Sequence, residues 1–260
     1  MGRPAIFAPV LIFAPVLILA PAFVLASVLA ALPVARAAAA DRWTIACDDN
    51  FPPYNYIEND RVIGLDAEIV AAIVRQAGAE VQFEPQSWSR VQDLLERNEV
   101  DAAFQFVGRP DRFEKYFMIG PHRIGQTVFA TRPGVSVEFN GLDSLRGYRI
   151  GVIRGYTYGA AFDTAHGLIK NSSPGDNLQL VRMLAAGRVD LIIGDRDTLM
   201  HFARRDGLHA QMRLLSPVFA EVPRYIAVPR SRPAIAARME RALADLRRTG
   251  GLAEILKRWE

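Results

Sequence analysis

The chain has 260 residues, too many for one small module and too few for three ordinary domains. Half of it is apolar and 23% is charged, which provides ample core material and excludes a disordered, collagen-like or acidic-tail protein. A lone cysteine, Cys47, excludes an internal disulfide or a thiolate metal cluster, and 31 basic against 28 acidic residues give no reason to expect a nucleic-acid partner.

Residues 1–40 read as an export signal. Arg3 opens them, an apolar stretch with the echo IFAPVL, IFAPVL, ILAPAF follows, and alanine-rich sequence closes them with cleavage sites after Ala37, Ala39 or Ala40. A retained anchor is the competing reading, but Pro9, Pro15, Pro21 and Pro33 would interrupt a spanning helix. The expectation is a periplasmic protein freed from a cleaved signal peptide.

From Trp43 onward, short apolar runs alternate with helical periodicity, the mark of an α/β fold. Thr44–Cys47 reads as a strand. Asp66 is expected to N-cap a helix that presents Ile69, Val70, Ile73 and Val74 on one face and stops at Gly78. A helix over about Arg90–Arg97 should feed a strand over Val100–Phe104. The segment Leu94–Asp101 then matches Met183–Asp190, each a helix ending at Asn or Gly before a buried strand, and Arg149–Ile153 echoes the opening strand. The economical account is two similar lobes: lobe 1 from 41–131 and 224–260, lobe 2 from 132–223, with a signal peptide over 1–40. Thr127–Thr131 and Arg224–Val228 read as two extended hinge crossings. Helices over Ile235–Leu246 and Leu252–Trp259 complete lobe 1, and a hinge between lobes makes a cleft.

No catalytic constellation stands out. There is no G-x-S-x-G, H-E-x-x-H, Walker loop or G-x-G-x-x-G, and His122, His166, His201 and His209 share no metal-ligand spacing. No cofactor is expected. What remains is polar groups at strand ends and helix starts. Gly155-Tyr156-Thr157 follows a strand and is expected to open a helix whose N–H groups face an anion. Arg112, just past Pro110 at a helix start, can fork onto a carboxylate, and Asp195 at a strand end can accept from an ammonium.

Taken with Pro53-Tyr54, Gly64-Leu65-Asp66, Leu145-Arg146-Gly147 and Lys257-Arg258-Trp259, these markers resemble the periplasmic substrate-binding proteins of polar amino-acid ABC transporters. The resemblance spans nearly all of residues 43–259 and implies a two-lobed type II periplasmic-binding clamshell. It implies that Arg112 and Thr157 grip a ligand α-carboxylate, that Asp195 takes the α-ammonium, and that Asp48, Phe51 and Trp88 enclose the side chain. It further implies a monomer that delivers an amino acid or small carboxylate to an inner-membrane ABC permease. The chain departs from the pattern at Phe104-Gln105-Phe106-Val107, where small hydroxyl residues are usual, and at bulky Tyr156; Gln105 and Tyr156 thereby join the candidate ligand contacts. Two alternatives share the scaffold: an enzyme resembling cyclohexadienyl dehydratases, for which no cleft glutamate is in place as general acid, and a ligand-sensing accessory protein.

Overall fold

The computed structural model describes residues 1–2 and 41–259, so the expected export signal lies outside the described residues. Strand β1 (Asp41–Asp48) opens a short meander of β2 (Asn50–Phe51), β3 (Asn55–Glu58) and β4 (Arg61–Ile63). Helix α1 (Leu65–Gln76) follows, with Ile69, Val70, Ile73 and Val74 fully buried at helical spacing. Its cap is Gly64 and not the expected Asp66. Gly64 has φ 122°, and a Cβ there would sit 2.4 Å from the Tyr54 carbonyl oxygen, so only glycine fits. Asp66 therefore falls one residue inside the helix, where its side chain is buried rather than capping.

Strand β5 (Ala79–Gln86), helix α2 (Trp88–Glu96) and strand β6 (Ala102–Val107) come next. Every residue of β6 is buried, as befits a strand covered on both faces. The expected strand began two residues earlier; Asp101 still meets β1, its backbone N–H donating to the Thr44 carbonyl and its carboxylate accepting from the Thr44 N–H in place of a backbone carbonyl. Helix α3 (Pro110–Lys115) starts on proline at its first position, and strand β7 (Tyr116–Thr131) leaves it. Then come β8 (Arg149–Gly151), a four-residue helix α4 (Ala160–Asp163), β9 (Ile169–Asn171), α5 (Asn177–Ala185), β10 (Leu191–Asp195), α6 (Arg196–Arg205), β11 (Arg213–Leu214), β12 (Ala220–Pro229), α7 (Pro233–Arg248) and α8 (Gly251–Arg258).

Among the described residues these strands form one sheet in the order β5-β1-β6-β12-β7-β10-β8-β9, with β11 also on β7, and a small second sheet β2-β3-β4. The expected duplication is visible in the backbone: after α2 and after α5 the chain turns through a left-handed residue, Asn98 at φ 59° and Gly187 at φ 71°, before a buried strand. At about 3.3 Å per residue β7 is roughly 50 Å long, more than one core needs. It pairs with β12 over Tyr116–Thr127 and with β10 over Thr127–Thr131. The core accordingly divides. One group draws on residues 43–119 and 226–255; the other draws on 128–215.

Candidate functional site

All eight residues singled out from the sequence border a single cavity: Asp48, Phe51, Trp88, Gln105, Arg112, Tyr156, Thr157 and Asp195. They come from the end of β1, from β2, the first residue of α2, the middle of β6, α3, the segment before α4, and the end of β10. Apart from Gln105 in mid-strand and the Tyr156–Thr157 segment, these are strand ends and helix starts, where open α/β sheets hold ligands. Val107, Thr127, Tyr158 and Arg224 also line it.

Arg112 is buried, 6% exposed, and no exposed ion pair holds it. Its Nη1 donates to the Val107 carbonyl at 3.0 Å and its Nη2 to Gln92 Oε1 at 3.4 Å. The guanidinium lies 4.9 Å from the Phe106 ring centroid. Burial, aided by the charge of Arg109, lowers its pKa to about 10, so it stays cationic while lacking a carboxylate hydrogen bond. A cation held this way is a seat for an anion.

Gln105 borders the cavity, but its amide is committed inward. Its Nε2 donates to Asn55 Oδ1 at 2.8 Å and to Asp66, and its Oε1 accepts from Arg123 Nη2 at 3.1 Å. Its backbone is in the left-handed region at φ 72°, a strain that the buried network must hold. Behind it, Arg123 Nε donates to Asp66 Oδ1 at 2.7 Å and stacks 3.4 Å from the Tyr54 ring centroid, while His122 Nε2 lies 3.2 Å from Asp66 Oδ2. Burial by itself would raise the Asp66 carboxyl, yet Arg123 and His122 outweigh it and hold the group below the usual carboxylate range.

On the opposite wall Asp195 is the N-cap of α6, accepting from the Asp197 and Thr198 N–H groups at 3.2 and 3.3 Å through Oδ1. Its Oδ2 is a buried acceptor without a hydrogen bond, 3.9 Å from Arg123 Nη1 and 3.8 Å from Arg224 Nη2. The Tyr156–Thr157 segment departs from the expected helix start. Helix α4 begins only at Ala160, and the N–H groups of Tyr158 and Gly159 already donate to the Asp163 carboxylate. Thr157 borders the cavity without an oriented helix terminus behind it.

Three polar contacts join the two sides of the cavity. The Tyr156 hydroxyl donates to Asp48 Oδ2 at 2.9 Å, Trp88 Nε1 to the Gly155 carbonyl at 3.2 Å, and the Tyr54 hydroxyl to Asp197 Oδ2 at 2.9 Å. Phe51 and Trp88 present edges to Tyr156 at 6.1 and 6.4 Å between centroids, an aromatic collar. Burial pushes the Asp48 carboxyl up to about 6, against the hydrogen bonds from the Asn50 N–H and Tyr156 that favour its ionised form.

Sequence reasoning missed Arg123, His122 and Arg224. A signal was present for Arg224, a charge inside the extended crossing Arg224–Val228, where a buried charge is expected to have a partner; His122 and Arg123 lie in a run to which no element was assigned.

The family model of bacterial extracellular solute-binding proteins, family 3, matches residues 43–260. The L-cystine-binding protein TcyA of Bacillus subtilis is 19% identical over 83% of this chain and 80% of its own length. The ABC transporter arginine-binding protein 1 of Escherichia coli is 23% identical over 89% of this chain and 97% of its own. Among solved structures, a histidine kinase sensor domain with similarity to periplasmic binding proteins superposes with a TM-score of 0.75 at 24% identity, over 84% of this chain and 95% of that one. An ancestral arginine-binding protein bound to arginine gives 0.73 at 20% identity, over 84% and 97%. These likenesses support a two-lobed type II periplasmic-binding fold.

Proposed function

The chain belongs to family 3 of the bacterial extracellular solute-binding proteins, and from that premise we propose that it captures a small amino-acid-like or carboxylate solute between its lobes and hands it to an ABC permease. Lobe 1 is taken as 41–131 with 224–260 and lobe 2 as 132–223; the division of the core into two groups supports this. In this reading Arg112 forks onto the ligand carboxylate beside Thr157, and Asp195 Oδ2, an acceptor without a donor, receives an ammonium. Asp48, Phe51 and Trp88 close around the remainder. The carrying observation is Arg112, a buried guanidinium at the cavity wall whose hydrogen bonds among the described residues go to an amide and a carbonyl. The protein performs no chemistry on its ligand and works as a periplasmic monomer after loss of its leader.

A second reading keeps the capture step and changes the recipient. The likeness to a histidine kinase sensor domain favours delivery of a signal rather than a solute. Adjacent genes for a permease and an ATPase, or for a kinase, separate the two. The capture step itself is tested by thermal shift against the amino acids and small carboxylates. A ligand at 100 times its Kd adds about 2.7 kcal/mol to native stability. A protein whose melting temperature moves with none of them does not do what is proposed.

A further inference from the structure

The proposed site leaves one strong cation without a role. Arg224, in β12, is 7% exposed and borders the same cavity as Arg112. Its Nε is a buried donor with no acceptor, and its ion-pair partner among the described residues is Asp195 Oδ2, 3.8 Å from Nη2 and beyond hydrogen-bond range. That oxygen is shared with Arg123 Nη1 at 3.9 Å, and the Asp195 Oδ1 serves as a helix cap. A guanidinium offers five N–H groups in a planar fork, and burying them without acceptors is strongly unfavourable.

Only a residue without a side chain fits against this group of charges. A Cβ on Gly125 would lie 2.8 Å from Arg123 Nη1, 2.9 Å from Asp195 Oδ2 and 3.4 Å from Arg224 Nε. The strand register sets Arg224 opposite Val107, whose carbonyl accepts from Arg112, so the two guanidiniums reach the cavity from either side of one residue. The fork of Arg112 can take both oxygens of one carboxylate. A ligand with a single carboxylate thus leaves Arg224 buried with the shared Asp195 Oδ2, beyond hydrogen-bond range, as its counter-charge among the described residues. Asp48 does not fill the gap, because Asn50 and Tyr156 occupy its two oxygens.

Resting on the reading of this cleft as a carboxylate-capturing site, we propose that Arg224 grips a second anionic group and that the ligand is a small dicarboxylate. An acidic amino acid and a plain dicarboxylic acid share that chemistry. They differ in whether an ammonium reaches Asp195 Oδ2.

The test is calorimetric titration of the parent protein, Arg224→Gln and Arg224→Lys with L-glutamate, L-glutamine, L-aspartate, L-asparagine, glutarate and succinate. For at least one acid–amide pair, or for glutarate or succinate against both L-glutamine and L-asparagine, the dicarboxylate should bind about 30-fold more tightly or better. Arg224→Gln should remove most of that preference and shift amide binding less than about threefold, with Arg224→Lys between. Tight binding of glutarate or succinate identifies a plain dicarboxylate; tight binding of glutamate or aspartate alone identifies an acidic amino acid. Amides that bind the parent as well as the acids overturn the assignment without any variant. Equal weakening of acid and amide by Arg224→Gln also overturns it, since both arginines then hold one carboxylate. If monocarboxylate amino acids bind and dicarboxylates do not, capture stands and the second anion falls. If no amino acid or small carboxylate binds at all, both fall together.

Discussion

Asp48 and Asp66 are both buried, 6% and 0% exposed. Their carboxyl groups are nevertheless driven in opposite directions, Asp48 up to about 6 and Asp66 below the ordinary range. Burial acts on each the same way, so the difference is company. Asp66 faces Arg123, His122 and Gln105, whereas Asp48 has one hydroxyl and one backbone N–H. The same contrast holds for the arginines. Arg123 is engaged by Asp66 and by Gln105, while Arg112 and Arg224 at the cavity wall have no carboxylate in hydrogen-bond contact. Asp66 and Gln105 are engaged by Arg123, although Arg123 Nη1 and both His122 nitrogens lack a hydrogen-bond partner among the described residues; Arg112 and Arg224 at the cavity wall lack a carboxylate hydrogen bond, which makes them receptive.

The largest effect should come from breaking the satisfied side. Asp66→Asn leaves Arg123 buried beside a neutral amide, and removal of one partner of such a pair destabilises by about 3–5 kcal/mol. Urea unfolding measures this, and a loss under about 1 kcal/mol would make the inner cluster as dispensable as an exposed pair. Breaking the receptive side should move binding and spare the fold. Arg112→Ala is expected to weaken the captured ligand by about 2–5 kcal/mol in calorimetry, with Arg112→Lys also impaired because an ammonium lacks the fork. Ligand-free stability should change by less than about 1 kcal/mol, since the guanidinium has no carboxylate to lose; a large drop would erase the contrast.

The third effect sharpens the comparison through pH. Asp48 holds its proton more tightly in the folded state, near 6, than in the unfolded chain, near the ordinary 3.8. Its contribution is therefore fully present below about pH 4 and is lost as pH rises through 6, a change on the order of 3 kcal/mol. The difference in unfolding free energy between the parent and Asp48→Asn, measured at pH 4 and pH 7, should shift by that amount in the variant's favour at the higher pH. A constant difference would mean that Asp48 is as well supported as Asp66.

Much of this arrangement could be read in advance. The α/β alternation, the doubled helix–strand unit and the return of the chain in two final helices are local patterns, and local patterns survive into the fold. The cavity wall was legible for a similar reason: Asp48, Arg112 and Asp195 mark strand ends and helix starts that their own neighbours announce. The inner cluster was not. Asp66 and Arg123 are 57 residues apart and meet only because β7 runs past α1. Nothing near Asp66 distinguishes a cap from a buried carboxylate, and the steric demand that moved the cap to Gly64 comes from Tyr54. Thr157 failed in the other direction, because Asp163 claims the N–H groups that a helix start would have offered.

Strands β7 and β12 are bonded to each other from Tyr116 opposite Pro229 to Thr127 opposite Ala220, with one break in register beside Arg224; of the two expected crossings Arg224–Val228 lies in this ladder, whereas Thr127–Thr131 pairs along β10. The two strands act as a single ribbon and not as two tethers. Sliding one strand along the other would break the ladder, whereas flexing the ribbon out of its own plane leaves the hydrogen bonds intact, and an interrupted ladder flexes most at its interruption. In the proposed clamshell the joint would bend at this break, beside Arg224, whose side chain borders the cavity.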